Sequence, residues 1–284
     1  MARALTYTPG EERVETAGGL KITVRSWRPE AKARGVVAIV HGVKSHSGYY
    51  AWAAEQLVGS GFAVYALDLH GRGKSDGDRL YLEKIGDYLD DVDTLVTLAK
   101  SREPGVPVFL LGHSAGGVIS CVYTLEHQAK LAGLICESFA FQVAAPDAVL
   151  AIVKVLGRVA PHLPVLNLKN RDFSRDPQAV KAMNDDPLVA HEVQPSHTVA
   201  ELVRATERLK REFPLITLPV LILHGTSDKV TRPSGSKFFY DTAGSSDKTL
   251  KLYEGHAHDL LNDVDKQVVM ADIKGWMNAH LSAA

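Results

Sequence analysis

The sequence has no long apolar run, and this absence excludes two classes of protein. No segment approaches the ~20 apolar residues that a membrane-spanning helix requires, because Lys154 and Arg158 interrupt one apolar stretch and Pro214 and Pro219 another. The first residues, MARALTYTPGEERVE, lack the apolar stretch of a secretory signal. We therefore expect a cytoplasmic protein without stable membrane insertion.

Cysteine and net charge are also scarce. Only Cys121 and Cys136 occur among 284 residues, both in apolar runs, so we expect core cysteines in a reducing compartment and no disulfide framework. The 32 basic and 33 acidic residues leave a formal net charge of -1. A nucleic-acid-binding protein needs a strongly basic face, so we expect no nucleic-acid partner.

What the sequence does contain is an alternation of short apolar runs with helical patterns. GVVAIVHG, FAVYALDL, PVFLLGH and AGLICESF have the length of strands, and residues 84–101 place their apolar side chains on one helical stripe. Unbroken apolar strands between amphipathic helices predict a parallel sheet covered on both faces. The predicted fold class is therefore α/β, with a mostly parallel central sheet.

A helical segment interrupts this alternation. Residues 141–216 have the pattern of helices and proline-containing loops, and strands resume at PVLILHG and TLKLYEG before a closing helix. We therefore predict a first core part at 1–140, a helical lid at 141–216 and a second core part at 217–284, within one folding unit. The lid should cover the carboxyl ends of the strands, where open α/β sheets place their sites.

The pattern Gly-x-Ser-x-Gly occurs twice. One copy is centred on Ser114, between the apolar strand VFLL and the apolar helix VISCVYTL, and the other on Ser75, in a charged glycine-rich loop. The pattern indicates a nucleophile only as a strand–turn–helix elbow. We therefore predict Ser114 as nucleophile and Ser75 as part of a tight turn. An accidental glycine-rich helix start is the alternative for Ser114.

The same elbow predicts an oxyanion site. The backbone N–H of Ala115 lies at a helix N-terminus, where unpaired donors and the helix dipole favour negative charge. A second donor is expected in the loop after GVVAIVHG, most simply the N–H of Val43. An ordinary strand-to-helix loop is the alternative for that segment.

A serine nucleophile needs a base, and the base needs an orienting carboxylate. Two strand ends offer one, Asp228 after PVLILHG and Glu137 in AGLICES. We favour Asp228, for which turn capping is the alternative, and place Glu137 either behind the reacting residues as a support or in the pocket wall. His256 and His258 both follow the last strand, and their spacing does not choose between them. A metal chelated by this His-x-His pair is a competing interpretation, but no further ligand cluster accompanies it.

Six segments occur in order over most of the chain: HGxxxHSGYY, LDLHGRGKSDG, GHSAGG, FSRDPQAVKAMNDDPL, LPVLILHGTSDKVT and LKLYEGHAHDLLND. Together they resemble the monoacylglycerol lipase and lysophospholipase branch of the α/β-hydrolase family, with a domain of the serine aminopeptidase S33 type. The resemblance implies the α/β-hydrolase fold and a triad of Ser114, Asp228 and His258. It also places the oxyanion donors at Val43 and Ala115.

These residues predict a serine-dependent carboxylic ester hydrolase that cleaves monoacylglycerol-like or other small-alcohol acyl esters through an acyl-enzyme. We assign substrate contacts to His46, His113 and Glu137 and expect no metal or cofactor, since the triad needs none. An amidase, peptidase or acyltransferase would use the same triad, and a ligand receptor of the same fold is the non-catalytic alternative. The segment APDAVLAIVKVLGRVAPHLPVL permits transient contact with a lipid surface, or packing of the lid on its own core.

Overall fold

A computed structural model describes residues 8–281 of the protein. Its strands are β1 (Gly10–Glu15), β2 (Lys21–Trp27), β3 (Gly35–Val40), β4 (Phe62–Asp68), β5 (Val108–His113), β6 (Gly133–Glu137), β7 (Pro164–Leu166), β8 (Gln194–Pro195), β9 (Val220–Gly225) and β10 (Lys248–Tyr253). Eight of them form one sheet in the order β1-β2-β4-β3-β5-β6-β9-β10, and β7 pairs with β8. Between residues 8 and 281, only the pairs β1–β2 and β2–β4 of the large sheet are antiparallel. This confirms the predicted mostly parallel sheet.

Helices cover both faces of the sheet. In the described part of the chain the α-helices are α1 (Ala51–Val58), α2 (Ile85–Arg102), α3 (Ala115–His127), α4 (Asp147–Val159), α5 (Pro177–Asp185), α6 (Ser196–Glu212), α7 (Pro233–Thr242) and α8 (Lys266–His280). Short 3-10 turns lie at Ser47–Tyr50, Gln128–Lys130, Asn170–Asp172 and Phe213–Leu215. None of the helices between residues 8 and 281 is long and apolar enough to cross a membrane.

The alternation of side chains along β3 divides the core into two layers. Val36 and Ala38 pack with residues of α2 and α3 on one face, while Val37 and Ile39 pack with residues of α1 and α8 on the other. Every residue of β3, β4, β5, β6 and β9 is buried. This two-sided burial explains why these strands are continuous apolar runs rather than alternating ones.

Residues 141–216, which we call the insertion, carry α4, α5, α6, β7 and β8. Helices α4 and α6 pack closely, since a Cβ atom added to Gly157 would lie 2.9 Å from the Cβ of Ala200. Ala205 and Leu209 of α6 belong to the core layer that contains α2 and α3. The insertion is therefore joined to the core by its last helix. The outer face of α4 exposes a row of apolar side chains: Val149, Ile152, Val155 and Val159.

Cys121 and Cys136 lie side by side between α3 and β6. Both thiols are free and completely buried, with their Sγ atoms 3.6 Å apart. Burial, with Cys136 adjacent, raises the pKa of the Cys121 thiol well above its ordinary value. The pair therefore packs as two small apolar side chains behind the strand end that carries Ser114.

Candidate active site

Ser114 occupies a sharp turn between β5 and α3. Its backbone has φ 55° and ψ -121°, a conformation that residues with a side chain rarely adopt. Two positions before and after it only glycine fits without a clash, and a Cβ on Gly112 would lie 2.5 Å from the carbonyl oxygen of Gly116. One on Gly116 would lie 2.2 Å from the carbonyl oxygen of Val40. The glycines of the motif are thus required by the close approach of α3 to two strand ends.

Ser75 has a different environment. Its hydroxyl donates to the backbone carbonyl of Asp68 and accepts from the backbone N–H of Thr23 at 2.8 Å. Both hydrogen bonds fasten the glycine-rich loop to neighbouring strands. A hydroxyl engaged in this way ties a turn to the sheet, as the sequence interpretation of the Ser75 loop proposed.

The structure brings Asp228 and His258 together at the carboxyl edge of the sheet, after β9 and β10. The Nδ1 of His258 donates to Oδ2 of Asp228 at 2.8 Å. Burial raises the pKa of Asp228, but the nearby His258 and hydrogen bonds from His224, His258 and Thr231 outweigh it and lower that pKa well below its ordinary value. Asp228 is thus a buried carboxylate held in the ionised form next to an imidazole.

His258 itself is completely buried, with its ring edge-on to Phe173 at a centroid distance of 5.1 Å. Its Nε2 has no hydrogen-bond partner within residues 8–281, and no hydrogen bond joins that atom to Oγ of Ser114 there. In enzymes, the hydrogen bond between a base and its nucleophile often forms only once substrate is bound. With Nδ1 carrying the proton donated to Asp228, Nε2 is left as an acceptor.

His256 has a separate partner, Asp263, whose Oδ2 lies 3.6 Å from its Nδ1. Burial lowers the pKa of His256. The two histidines of the loop thus face different carboxylates. It is His258 whose imidazole reaches Asp228.

Two side chains that support Asp228 were not predicted from the sequence. Thr231 donates its hydroxyl to Oδ2 of Asp228 at 2.7 Å, and Nε2 of His224 lies 3.1 Å from the same oxygen. His224 is oriented by Ser236, whose Oγ lies 2.7 Å from Nδ1. The sequence could have indicated His224, because it lies inside the apolar strand LILHG and a buried imidazole needs polar partners.

His113 and Glu137 lie beneath His258 rather than in the cavity wall that we expected. The ring of His113 is 4.9 Å from that of His258, and Oε1 of Glu137 accepts from the N–H of Leu261 at 3.1 Å. Burial, with Asp259 adjacent, raises the pKa of Glu137 well above its ordinary value. Ligand atoms of His113, Glu137 and Asp259 lie within 4.8 Å of one another, close enough for these three buried residues to hold a metal ion.

His46, the third expected substrate contact, joins the core to the insertion. Its Nε2 lies 2.8 Å from Oδ2 of Asp186, and its ring packs edge-on to Tyr49. Neither His46 nor His113 or Glu137 lines the cavity next to Ser114. Their assignment as substrate contacts stays a prediction, since strand-end position alone does not decide whether a side chain turns toward the cavity or into the core.

A cavity of about 840 Å³ opens beside Ser114, between the sheet edge and the insertion. Apolar side chains of the insertion and of α7 form much of its wall: Phe141, Leu150, Val153, Leu166, Leu202 and Phe238. Cationic side chains are also part of the wall: Lys169, Lys210, Lys229 and Arg232. A mostly apolar cavity with a nucleophile at one end suits an extended apolar ligand.

Val43 and Ala115 line the same cavity as Ser114. Neither backbone N–H has an acceptor within the described residues. The preceding residue, Gly42, brings the loop against the serine, since a Cβ on it would lie 2.8 Å from the Cβ of Ser114. Two unpaired donors therefore line the cavity together with the serine, an arrangement that can stabilise a negative oxygen.

Comparison with known proteins identifies similar chains. The family described as Serine aminopeptidase, S33, matches residues 31–265. The chain is 34% identical to a monoacylglycerol lipase of Mycolicibacterium smegmatis, over 98% of this chain and 100% of the relative. It is 32% identical to the monoglyceride lipase of Homo sapiens, over 94% and 90%. Among solved structures, a monoacylglycerol lipase of Paleococcus ferrophilus superposes with a TM-score of 0.80 and 32% identity, over 96% of this chain and 99% of that chain.

Proposed function

The chain belongs to the hydrolase family described as serine aminopeptidase, S33, and on that premise we propose that it hydrolyses carboxylic esters with Ser114 as nucleophile. One observation carries the proposal. Ser114, in its strained elbow, lines a mostly apolar cavity together with Val43 and Ala115, whose backbone N–H groups have no acceptor within the described residues. The Asp228–His258 pair lies at the same edge of the sheet.

The proposed reaction has two stages, formation and hydrolysis of an acyl-enzyme, and each of these groups acts in both. Nε2 of His258 takes the proton of Ser114 as Oγ bonds to the ester carbonyl carbon, and Asp228 stabilises the imidazolium that forms. The carbonyl oxygen becomes an oxyanion held by the two backbone N–H groups. The intermediate collapses, the C–O bond breaks, and the alcohol leaves with the proton from His258. Water then repeats the sequence on the acyl-enzyme and releases the acid.

The substrate that the cavity favours is a single acyl chain esterified to a small alcohol. Its wall is mostly apolar and its volume of about 840 Å³ lies within the ~300–1,000 Å³ of small-ligand sites. Relatives of this chain are named as monoacylglycerol and monoglyceride lipases, which supports monoacylglycerol as the first ester to test.

We propose that the insertion acts as a lid over the site, because it supplies much of the wall. The exposed apolar row of α4 supports a transient contact of this lid with lipid surfaces.

The test is covalent labelling with a fluorophosphonate, followed by ester hydrolysis. We expect Ser114→Ala to lose both labelling and turnover, and the matched variant Ser75→Ala to keep both, since the Ser75 hydroxyl only ties a loop to the sheet. p-Nitrophenyl esters of increasing chain length, run beside monoacylglycerols, then define the acyl preference. The p-nitroanilide of the best acyl group tests amide cleavage. Labelling that persists in Ser114→Ala would exclude this nucleophile.

A further inference from the structure

A carboxylate from the insertion holds the loop that carries Val43. Oε2 of Glu192 accepts a hydrogen bond from the backbone N–H of Lys44 at 2.7 Å, and both residues are buried. Lys44 has a φ of 54°, which costs energy for a residue with a side chain and persists only where the surroundings stabilise it. Glu192 is such a stabilising contact.

Glu192 is itself fixed by buried neighbours. Nε2 of Gln194 donates to its Oε2 at 3.2 Å, and Nη1 of Arg72 lies 3.5 Å from the same oxygen. Arg72 is 1% exposed and is oriented by Gln194 at 2.7 Å and by the hydroxyl of Tyr88 at 2.9 Å. The carboxylate thus has a buried counter-ion and little freedom to leave Lys44.

The other side of the loop is fixed by His41. Its Nε2 accepts from the N–H of Leu69 at 3.1 Å, which leaves the Nδ1 proton to donate to the carbonyl of Gly42 at 2.6 Å. In a planar trans peptide the C=O and N–H point in opposite directions. The bond to Gly42 therefore turns the N–H of Val43 the other way, and the hydrogen bond that the N–H of Lys44 donates to Glu192 fixes the next peptide plane.

We propose that Glu192 is a positioning residue that holds the N–H of Val43 where the oxyanion forms. This inference rests on the proposed function, because it assigns Val43 as an oxyanion donor. It adds that the insertion takes part in transition-state stabilisation through the backbone of the core, besides forming the cavity wall. An oxyanion donor acts on the transition state more than on bound substrate, so its displacement lowers kcat rather than raising KM.

The chain contains a matched control. Glu201, also in the insertion, accepts from the backbone N–H of Ile85 in the core at 3.0 Å. It makes the same kind of contact between insertion and core, but on α2 rather than on the loop of Val43. A variant at Glu201 therefore reports what loosening the insertion does by itself.

The experiment measures kcat and KM on one p-nitrophenyl ester for the wild type, Glu192→Ala, Glu192→Gln and Glu201→Ala. We expect Glu192→Ala to lower kcat by about 10- to 100-fold with KM within about twofold. Glu192→Gln should recover most of the rate, because its amide oxygen can accept from Lys44. Glu201→Ala should match the wild type. Near-UV circular dichroism checks that each variant is folded.

Wild-type kcat in folded Glu192→Ala, or an equal loss in Glu201→Ala, would overturn the positioning role while leaving the proposed function intact. Turnover that survives in Ser114→Ala would instead refute the proposed function. If Glu192→Ala does not fold, Glu192→Asp replaces it, because the shorter side chain keeps the counter-ion of Arg72 but withdraws from Lys44. The same loss of kcat is expected there, and an unchanged kcat would contradict the inference.

Discussion

At the scale of single residues, the two histidines after β10 differ in the carboxylate they meet. His258 donates to the ionised Asp228 at 2.8 Å, whereas His256 lies 3.6 Å from Asp263. Because a base must have its imidazole oriented by a carboxylate, the two positions should respond very differently to the same substitution.

We expect His258→Ala to lower kcat by at least ~1000-fold, since the serine loses its proton acceptor and the leaving alcohol its donor. His256→Ala should cost ~10-fold or less. Steady-state kinetics on one activated ester compares the two, with circular dichroism as the check on folding. An inactive His256 variant beside an active His258 variant would show that the wrong imidazole has been assigned.

Some residues of the site can be predicted from the sequence and others cannot. Ser114 follows β5 directly and Asp228 lies in the loop just after β9, so their common edge is a consequence of the parallel sheet. His46 and Glu137 could not be placed, because their orientation depends on contacts with Asp186 and Leu261, which are distant in sequence. Glu192 was missed for the same reason, as its partner is the backbone of Lys44.

At the scale of elements, the packing of α4 on α6 depends on a glycine. Glycine inside a helix normally costs about 1 kcal/mol relative to alanine. At Gly157, however, an added Cβ would lie 2.9 Å from the Cβ of Ala200 and 3.2 Å from the backbone of Ser196. At Gly275, on the exposed side of α8, it would meet nothing within 4 Å.

Gly157→Ala should therefore separate α4 from α6, lower the melting temperature and raise KM for long-chain esters more than for acetate esters. Gly275→Ala should stabilise the protein by about 0.5–1 kcal/mol and leave the kinetics unchanged. Thermal unfolding and a chain-length series measure both effects. A Gly157→Ala protein with wild-type stability and wild-type KM would mean that the helix pair repacks freely.

The elements of the core were easier to predict than those of the insertion. Strands such as β3 and β9 are apolar throughout because both faces are covered, and this is visible in the sequence. The predicted end of the lid at residue 216 says less about packing, because Ala205 and Leu209 of α6, which precede it, belong to the core. An amphipathic pattern identifies the buried side of a helix but not the surface that covers it.

At the scale of the whole molecule, buried carboxyl groups link stability to pH. Burial, with Asp259 adjacent, raises the pKa of Glu137 well above its ordinary value. A group whose pKa is higher in the folded state keeps its full stabilising effect only below its unfolded pKa, and stability falls as the pH rises toward the folded pKa. For Glu137 this window begins near pH ~4.3 and extends upward.

We expect Glu137→Gln, which resembles the protonated acid and can still accept from Leu261, to remove this decline. Its free energy of unfolding should match that of the wild type near pH 4 and exceed it increasingly at higher pH, by up to about 1.4 kcal/mol per pH unit. Urea unfolding at several pH values measures the difference. A constant difference across the range would show that Glu137 does not titrate differently on folding.

Removal of metal ions tests whether ester hydrolysis by the whole molecule depends on a bound ion. The proposed reaction uses the triad and two backbone donors and needs no ion. Prolonged dialysis against a strong chelator should therefore leave the rate of ester hydrolysis unchanged. A loss that added zinc reverses would instead indicate that the group of His113, Glu137 and Asp259 holds a metal during catalysis.

The order of the site along the chain has a consequence for how activity is regained after unfolding. Ser114 stands at the end of β5, in the middle of the sheet, whereas His258 follows β10, which pairs with β9 at the sheet's far edge. The imidazole cannot reach Asp228 until that edge strand has docked. Under the proposed function, turnover should therefore return during refolding no earlier than the pairing of β10 with β9.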